Sequence, residues 1–82
     1  MFKVYVIKSC RKKYLYVGMT NNLRRRFDEH NNGKERTTKS YAPFEIIFVE
    51  GFGTRMEARR REKYLKSGVG KEYIKREVLK LK

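Results

Sequence analysis

The chain has 82 residues, of which 22 are Lys or Arg and nine Asp or Glu, giving a formal net charge of +13. This length implies a single domain over residues 1–82 with a modest core, and so large a positive excess opposes compaction unless a polyanionic partner makes use of it. One cysteine, Cys10, and one histidine exclude an internal disulfide and a tetrahedral nitrogen-sulfur metal cage, and no apolar run approaches the roughly 20 residues of a membrane-spanning helix.

The opening stretch "MFKVYVIKS" is too short and too alternating for a signal peptide, so the expectation is a soluble, reduced, cytoplasmic protein with no membrane contact. Any metal in such a chain is held by oxygen ligands, which favours Mg2+ or Mn2+.

Phe2 to Lys8 alternates and is rich in β-branched and aromatic residues, which predicts a strand. "SCRKK" is a polar break, and Tyr14 to Gly18 reads as a second strand, close enough to form an antiparallel hairpin. "TNN" offers helix N-caps, Leu23 and Phe27 share one helical face, and Asn32-Gly33 supplies the stop. A basic, hydroxyl-rich loop, "GKERTTKSYA", leads to Pro43. The next run, "FEIIFVEGF", is a strand apolar on both faces, which predicts helical cover on both sides of the sheet. Thr54 and Glu57 form a capping box that opens a second helix to about Lys66. "SGVG" reads as a break, after which Ile74, Val78 and Leu81 fall on one helical stripe. The predicted class is α+β: a small antiparallel three-stranded sheet covered by helices, in the order β-β-α-β-α-α.

Several side chains carry both a structural and a chemical reading. Tyr5 and Tyr16 sit on the two arms of the hairpin, where paired strands bring side chains on one face to roughly 5 Å between Cβ atoms. They are either packing aromatics or two phenols sharing a site. Arg24, Arg25 and Arg26 point to different sides of their helix, whereas Arg26 and His30 share a face at i, i+4, with Asn22 on the same stripe. Together they suit a phosphate; separately they are a solvated basic face and a surface histidine. Glu62 lies on the stripe of Ala58 and Leu65, and an inward carboxylate needs a partner, either a neighbouring arginine or a metal.

Over residues 2 to 67 these pieces resemble the GIY-YIG nuclease superfamily, in particular its small single-domain members. The first signature reads Lys3-Val4-Tyr5 and the second Tyr16-Val17-Gly18; "NLRRRFDEHN" is similar to the helix ending in Arg and His, and "EARRREKYLK" to the helix with the metal-binding Glu. Lys3 stands where the family has glycine and Val17 where it has isoleucine. Some members carry a further Asn near the domain end, for which no equivalent is placed here.

The resemblance implies an endonuclease acting on phosphodiester bonds in DNA, with a place in DNA repair or recombination. By the same likeness Tyr16 is the general base, Tyr5 positions the water, and Arg26 holds the scissile phosphate. Glu62 binds one divalent cation, Mg2+ or Mn2+, and His30 assists by phosphate contact or proton relay. Arg24, Arg25, Lys34, Arg36 and Lys39 are the expected nucleic-acid contacts. Substrate choice then comes from the domain's own surface, from substrate structure or from a partner chain. The competing readings are a basic nucleic-acid-binding module of the same fold without turnover, and an RNA-associated basic protein.

Overall fold

A computed structural model describes residues 1–80. Strands β1 (Phe2–Ser9) and β2 (Leu15–Thr20) form the hairpin and lead to helix α1 (Leu23–Asn31). A 3-10 turn at Lys39–Tyr41 precedes strand β3 (Phe44–Phe52), followed by helices α2 (Arg55–Lys66) and α3 (Gly68–Tyr73) and a π-helical turn over Ile74–Val78. The fold is α+β in the order β-β-α-β-α-α, with β1 in the middle of a β2-β1-β3 antiparallel sheet.

A central strand is covered on both faces, and β1 shows it: Val4, Tyr5, Val6 and Ile7 are all buried. Val4 and Val6 join Val17, Ala58, Leu65 and Ile74 in the main core under α2 and α3. Tyr5 and Ile7 point the other way and pack with Phe44, with Leu23 and Phe27 of α1 closing over them.

The sequence reading of β3 needs a correction. Val6 pairs with Phe48 but Ile7 with Ile46, so β3 carries one extra residue there. The bulge helps turn both Ile47 and Phe48 toward the main core. Ile46 and Val49 are left 38% and 41% exposed, so helices do not cover both sides of this strand.

Local caps fix the helix starts. The Asn22 side chain accepts from the Arg25 N–H, and Thr54 accepts from the Glu57 N–H while its hydroxyl donates to the Glu57 carboxylate. Helix α1 ends before Gly33, whose φ of +73° suits a residue without Cβ. The stretch read as a break after Lys66 is instead the start of α3. Ser67 caps it by accepting from the Gly70 N–H at 3.1 Å. A Cβ on Gly70 would overlap the Tyr64 carbonyl and Leu65 Cα, so glycine here serves close packing of α3 on α2. Ile74 is buried and Val78 packs on the main core, while Leu81 lies outside the described residues. Among those residues no helix is long and apolar enough to cross a membrane.

Candidate active site

The hairpin register brings the two tyrosines together. Tyr5 pairs with Gly18 and Ile7 with Tyr16, so the phenols stand diagonally on one face, ring centroids 6.3 Å apart. A Cβ on Gly18 would overlap the Tyr5 hydroxyl and crowd the Tyr16 ring. Glycine at the end of "YVG" is therefore what lets the Tyr5 ring lie across β2.

Helix α1 delivers His30 to this face, and the ring is fully buried. Its Nε2 lies 2.9 Å from the Tyr5 hydroxyl and its Nδ1 lies 2.8 Å from the Thr38 hydroxyl. The His30 ring is also 4.9 Å from that of Tyr16. Burial, and next the Arg26 charge, push the imidazole below its ordinary value, so it is neutral at neutral pH. A neutral imidazole has one donor and one acceptor, so Thr38 and Tyr5 take opposite roles toward it. The full burial corrects one expectation: His30 has no surface with which to touch a phosphate, and Tyr5, whose hydroxyl it holds, is itself only 1% exposed. Burial, then the neighbouring Tyr16, push the Tyr5 phenol far up, with Arg26 only partly opposing them. Tyr5 therefore keeps its proton.

Arg26 lies beside Tyr5, partly buried, and its guanidinium donates to Glu29 at 3.1 Å and to Glu35 at 3.0 Å. Burial works against its charge, but the two carboxylates outweigh that and hold the group firmly protonated. Glu35 is itself pushed down, first by the Thr37 N–H and then by Arg26. Arg24 and Arg25 are exposed, as their helical positions require.

Glu62 rides the inner stripe of α2. Ala58 and Leu65 are fully buried, and the Glu62 side chain is 14% exposed. Its carboxylate pairs with Lys66 at 3.2 Å and lies 3.9 Å from Arg59, both more than half exposed. It is also near enough to the Tyr5 phenol to oppose ionisation there, and the Lys66 ammonium sits 6.0 Å over the Tyr16 ring. Through Lys66, the Glu62 end of α2 therefore borders the Tyr16 ring. Among the described residues no group of three or more His, Cys, Asp or Glu converges. A cation here would take a single hard oxygen ligand from the protein and keep water around the rest, a mode that suits Mg2+ or Mn2+.

Of the five expected nucleic-acid contacts, three share one groove and two lie outside it. Arg24, Arg25 and Lys34 line a shallow groove of about 520 Å³ together with Asp28 and Glu29, so its charge is mixed. Arg36 and Lys39 are exposed but do not line it. Three residues were missed from the sequence: Thr38, Glu29 and Glu35. Glu29 stands at i+3 from Arg26, a spacing that signals a helical ion pair. Thr38 and Glu35 sit in an irregular loop whose path no periodicity encodes.

Residues 1–75 match the family described as the GIY-YIG catalytic domain. The chain is 41% identical over 64 residues to a UPF0213 protein of Clostridium perfringens, covering 77% of this chain and 68% of that one. It is 44% identical over 63 residues to the UPF0213 protein YazA of Bacillus subtilis, covering 76% of this chain and 63% of YazA. With a UPF0213 protein of Staphylococcus epidermidis it shares 34% identity over 73 residues, 88% of each chain. The matched region therefore spans about two thirds of the length of the first two relatives. No solved structure gives a significant match.

Proposed function

This chain belongs to the GIY-YIG catalytic domain family, a nuclease fold, and from that premise we propose that it is a metal-dependent endonuclease hydrolysing phosphodiester bonds in DNA. The observation that carries the reading is the convergence of Tyr5, Tyr16, Arg26 and His30, from three elements, on one face, with the Glu62 carboxylate beside them.

Each side chain has a role that its surroundings support. Tyr16, acting as its phenolate, takes the proton from the attacking water as a bond forms from that oxygen to phosphorus. The bond from phosphorus to the leaving oxygen breaks, and the departing oxygen then takes a proton from solvent. Tyr5, 1% exposed in the free protein, keeps its own proton, and its hydroxyl orients the water once Arg26 turns from it to the phosphate. His30, neutral and buried, holds the Tyr5 hydroxyl from behind. Arg26, which donates once to each of Glu29 and Glu35, exchanges one of these carboxylates for an oxygen of the scissile phosphate. Glu62 would hold the divalent cation, giving up Lys66 to do so. When bound, that cation supplies charge stabilisation at the leaving oxygen. Arg24, Arg25, Lys34, Arg36 and Lys39 serve the flanking phosphates.

The ion pair of Glu62 with Lys66 is the one observation that favours the alternative, a nucleic-acid-binding module without turnover. Incubation with end-labelled linear, nicked, flapped and branched DNA, with Mn2+ or with EDTA, separates the two. The enzyme reading requires cleavage of at least one substrate in Mn2+ and none in EDTA. Tight binding with no product from any substrate would leave only the module.

A further inference from the structure

The tip of the hairpin carries an organised cluster that the proposed chemistry does not use. The Tyr14 and Tyr41 rings are stacked face to face, centroids 3.8 Å apart and planes within 6°. That stack fills one face of Tyr41. The Lys12 ammonium lies over the same ring at 5.3 Å and so takes the face Tyr14 leaves open. Arg11, Lys12 and Lys13 are consecutive and exposed, with no acid among them.

This tip is fixed in place. Ser9 is 1% exposed, and its hydroxyl donates to the Tyr41 carbonyl at 2.6 Å while accepting from the Arg11 and Lys12 N–H groups at 3.1 and 3.0 Å. One oxygen thereby ties the basic turn to the 3-10 turn that bears Tyr41. The Cys10 N–H adds a second tie, to the Pro43 carbonyl at 2.9 Å. Tyr14 lies two residues before Tyr16, with its carbonyl still in the hairpin ladder through the Ser9 N–H. The stack is therefore about 7 Å along the strand from the proposed base.

We propose that Tyr41, stacked on Tyr14, and the Arg11–Lys13 turn form a subsite for a single-stranded stretch of nucleic acid next to the scissile phosphate. A base stacks on the outer face of Tyr41, and the displaced Lys12 neutralises the adjoining phosphate. The exchange is favourable because an exposed cation–π contact is weaker than stacking of a base on an aromatic ring, and Lys12 keeps an anionic partner afterwards. A duplex cannot use this platform, since its base faces are covered by their neighbours. The proposal rests on the nuclease reading only in taking nucleic acid as the ligand, and it names the form of that ligand.

Binding in EDTA tests it without reference to cleavage. The probes are an oligothymidylate of about a dozen nucleotides, an abasic strand of equal length, and a duplex. The native protein should bind the thymidylate roughly 5- to 100-fold more tightly than the abasic strand, the range expected for base stacking on an aromatic side chain. Tyr41→Leu, which keeps apolar packing but no ring, should lose that preference and leave duplex binding nearly unchanged. Tyr41→Phe should retain it. Lys12→Ala should weaken both single strands alike and flatten the slope of log K against log salt by about 0.7. Equal binding of the two single strands by the native protein overturns the proposal, as does an undiminished preference in Tyr41→Leu or an equal loss on duplex. Absence of cleavage would count against the nuclease reading alone.

Discussion

Replacing Thr38 by Val probes how His30 is held. Valine matches threonine in shape, so the change deletes one hydroxyl from a fully buried position and leaves the packing in place. That hydroxyl is the partner of His30 Nδ1 at 2.8 Å, and the ring has no exposed surface on which to find water instead. An orphaned buried polar group costs about 1–3 kcal/mol. In a domain of this size each kcal/mol moves the melting temperature by about 4–8 °C, so the variant should melt roughly 5–20 °C lower. The larger consequence is for Tyr5. Without Thr38 nothing selects which imidazole nitrogen carries the proton, and the Tyr5 hydroxyl loses its fixed orientation. Misplacement at this scale lowers cleavage by about 10–100-fold. Thr38→Ser returns the oxygen without the methyl group and should recover most of the rate. The assays are thermal melting, single-turnover cleavage in Mn2+, and 15N NMR of the His30 ring, whose shifts report the tautomer. Equal rates for the Val and Ser variants, or ring nitrogens unchanged in Thr38→Val, would refute a positioning role for Thr38.

Gly18→Ala should drive the Tyr5 hydroxyl away from His30, because the new Cβ occupies its place; a loss of about 1–3 kcal/mol from overpacking and about 10²-fold in rate is expected, and normal cleavage would contradict this. Tyr16→Phe keeps the ring and removes the proposed base, so the rate should fall about 10²-fold or more with little change in melting temperature. A Phe variant that cleaves normally moves the base elsewhere. Stability should also depend on pH through His30. Its folded value lies below the ordinary 6.5, so the unfolded chain binds the proton first on acidification. This contribution is full above about pH 6.5 and is lost as the pH falls below it. Melting temperatures between pH 8 and 5 should show that decline in the native protein and its absence in His30→Gln. Glu35, depressed from 4.5, adds a separate loss only at lower pH.

Much of the fold could be read from local pattern. Alternation in β1, the Asn22 cap and the Thr54 capping box are encoded within a few residues, and each is found where it was expected. The same locality explains what was misread. Gly68-Val69-Gly70 resembles a break until the close approach of Tyr64 and Leu65 is known, a contact between two helices. The bulge that turns Ile47 inward depends on the register of β3 against β1, which the "FEIIFVEGF" stretch does not contain. At the proposed site, Tyr5, Tyr16, Arg26, His30 and Glu62 could be singled out because their order along the chain resembles that of the family. Thr38 and Glu35 were not, because a loop without periodicity carries them beneath and beside α1. The stacking of Tyr14 on Tyr41 likewise joins residues that are far apart in the chain.

The central claim is that Glu62 holds the divalent cation a hydrolysing site requires, and Glu62→Ala tests it most directly. Its two present partners, Lys66 and Arg59, are more than half exposed, so no buried cation is stranded by the change. The partner expected from the sequence was a neighbouring arginine or a metal; the exposure of both Arg59 and Lys66 means that melting should hold near the native value whichever role Glu62 plays. DNA binding in EDTA should hold or rise, since one negative charge leaves a phosphate-binding face. The deciding measurement is therefore cleavage in Mn2+ by native protein and Glu62→Ala, with folding and binding checked on the same preparations. The proposed mechanism predicts a native protein that cleaves and a folded, DNA-binding variant that does not. A variant that cleaves as the native protein does would contradict it.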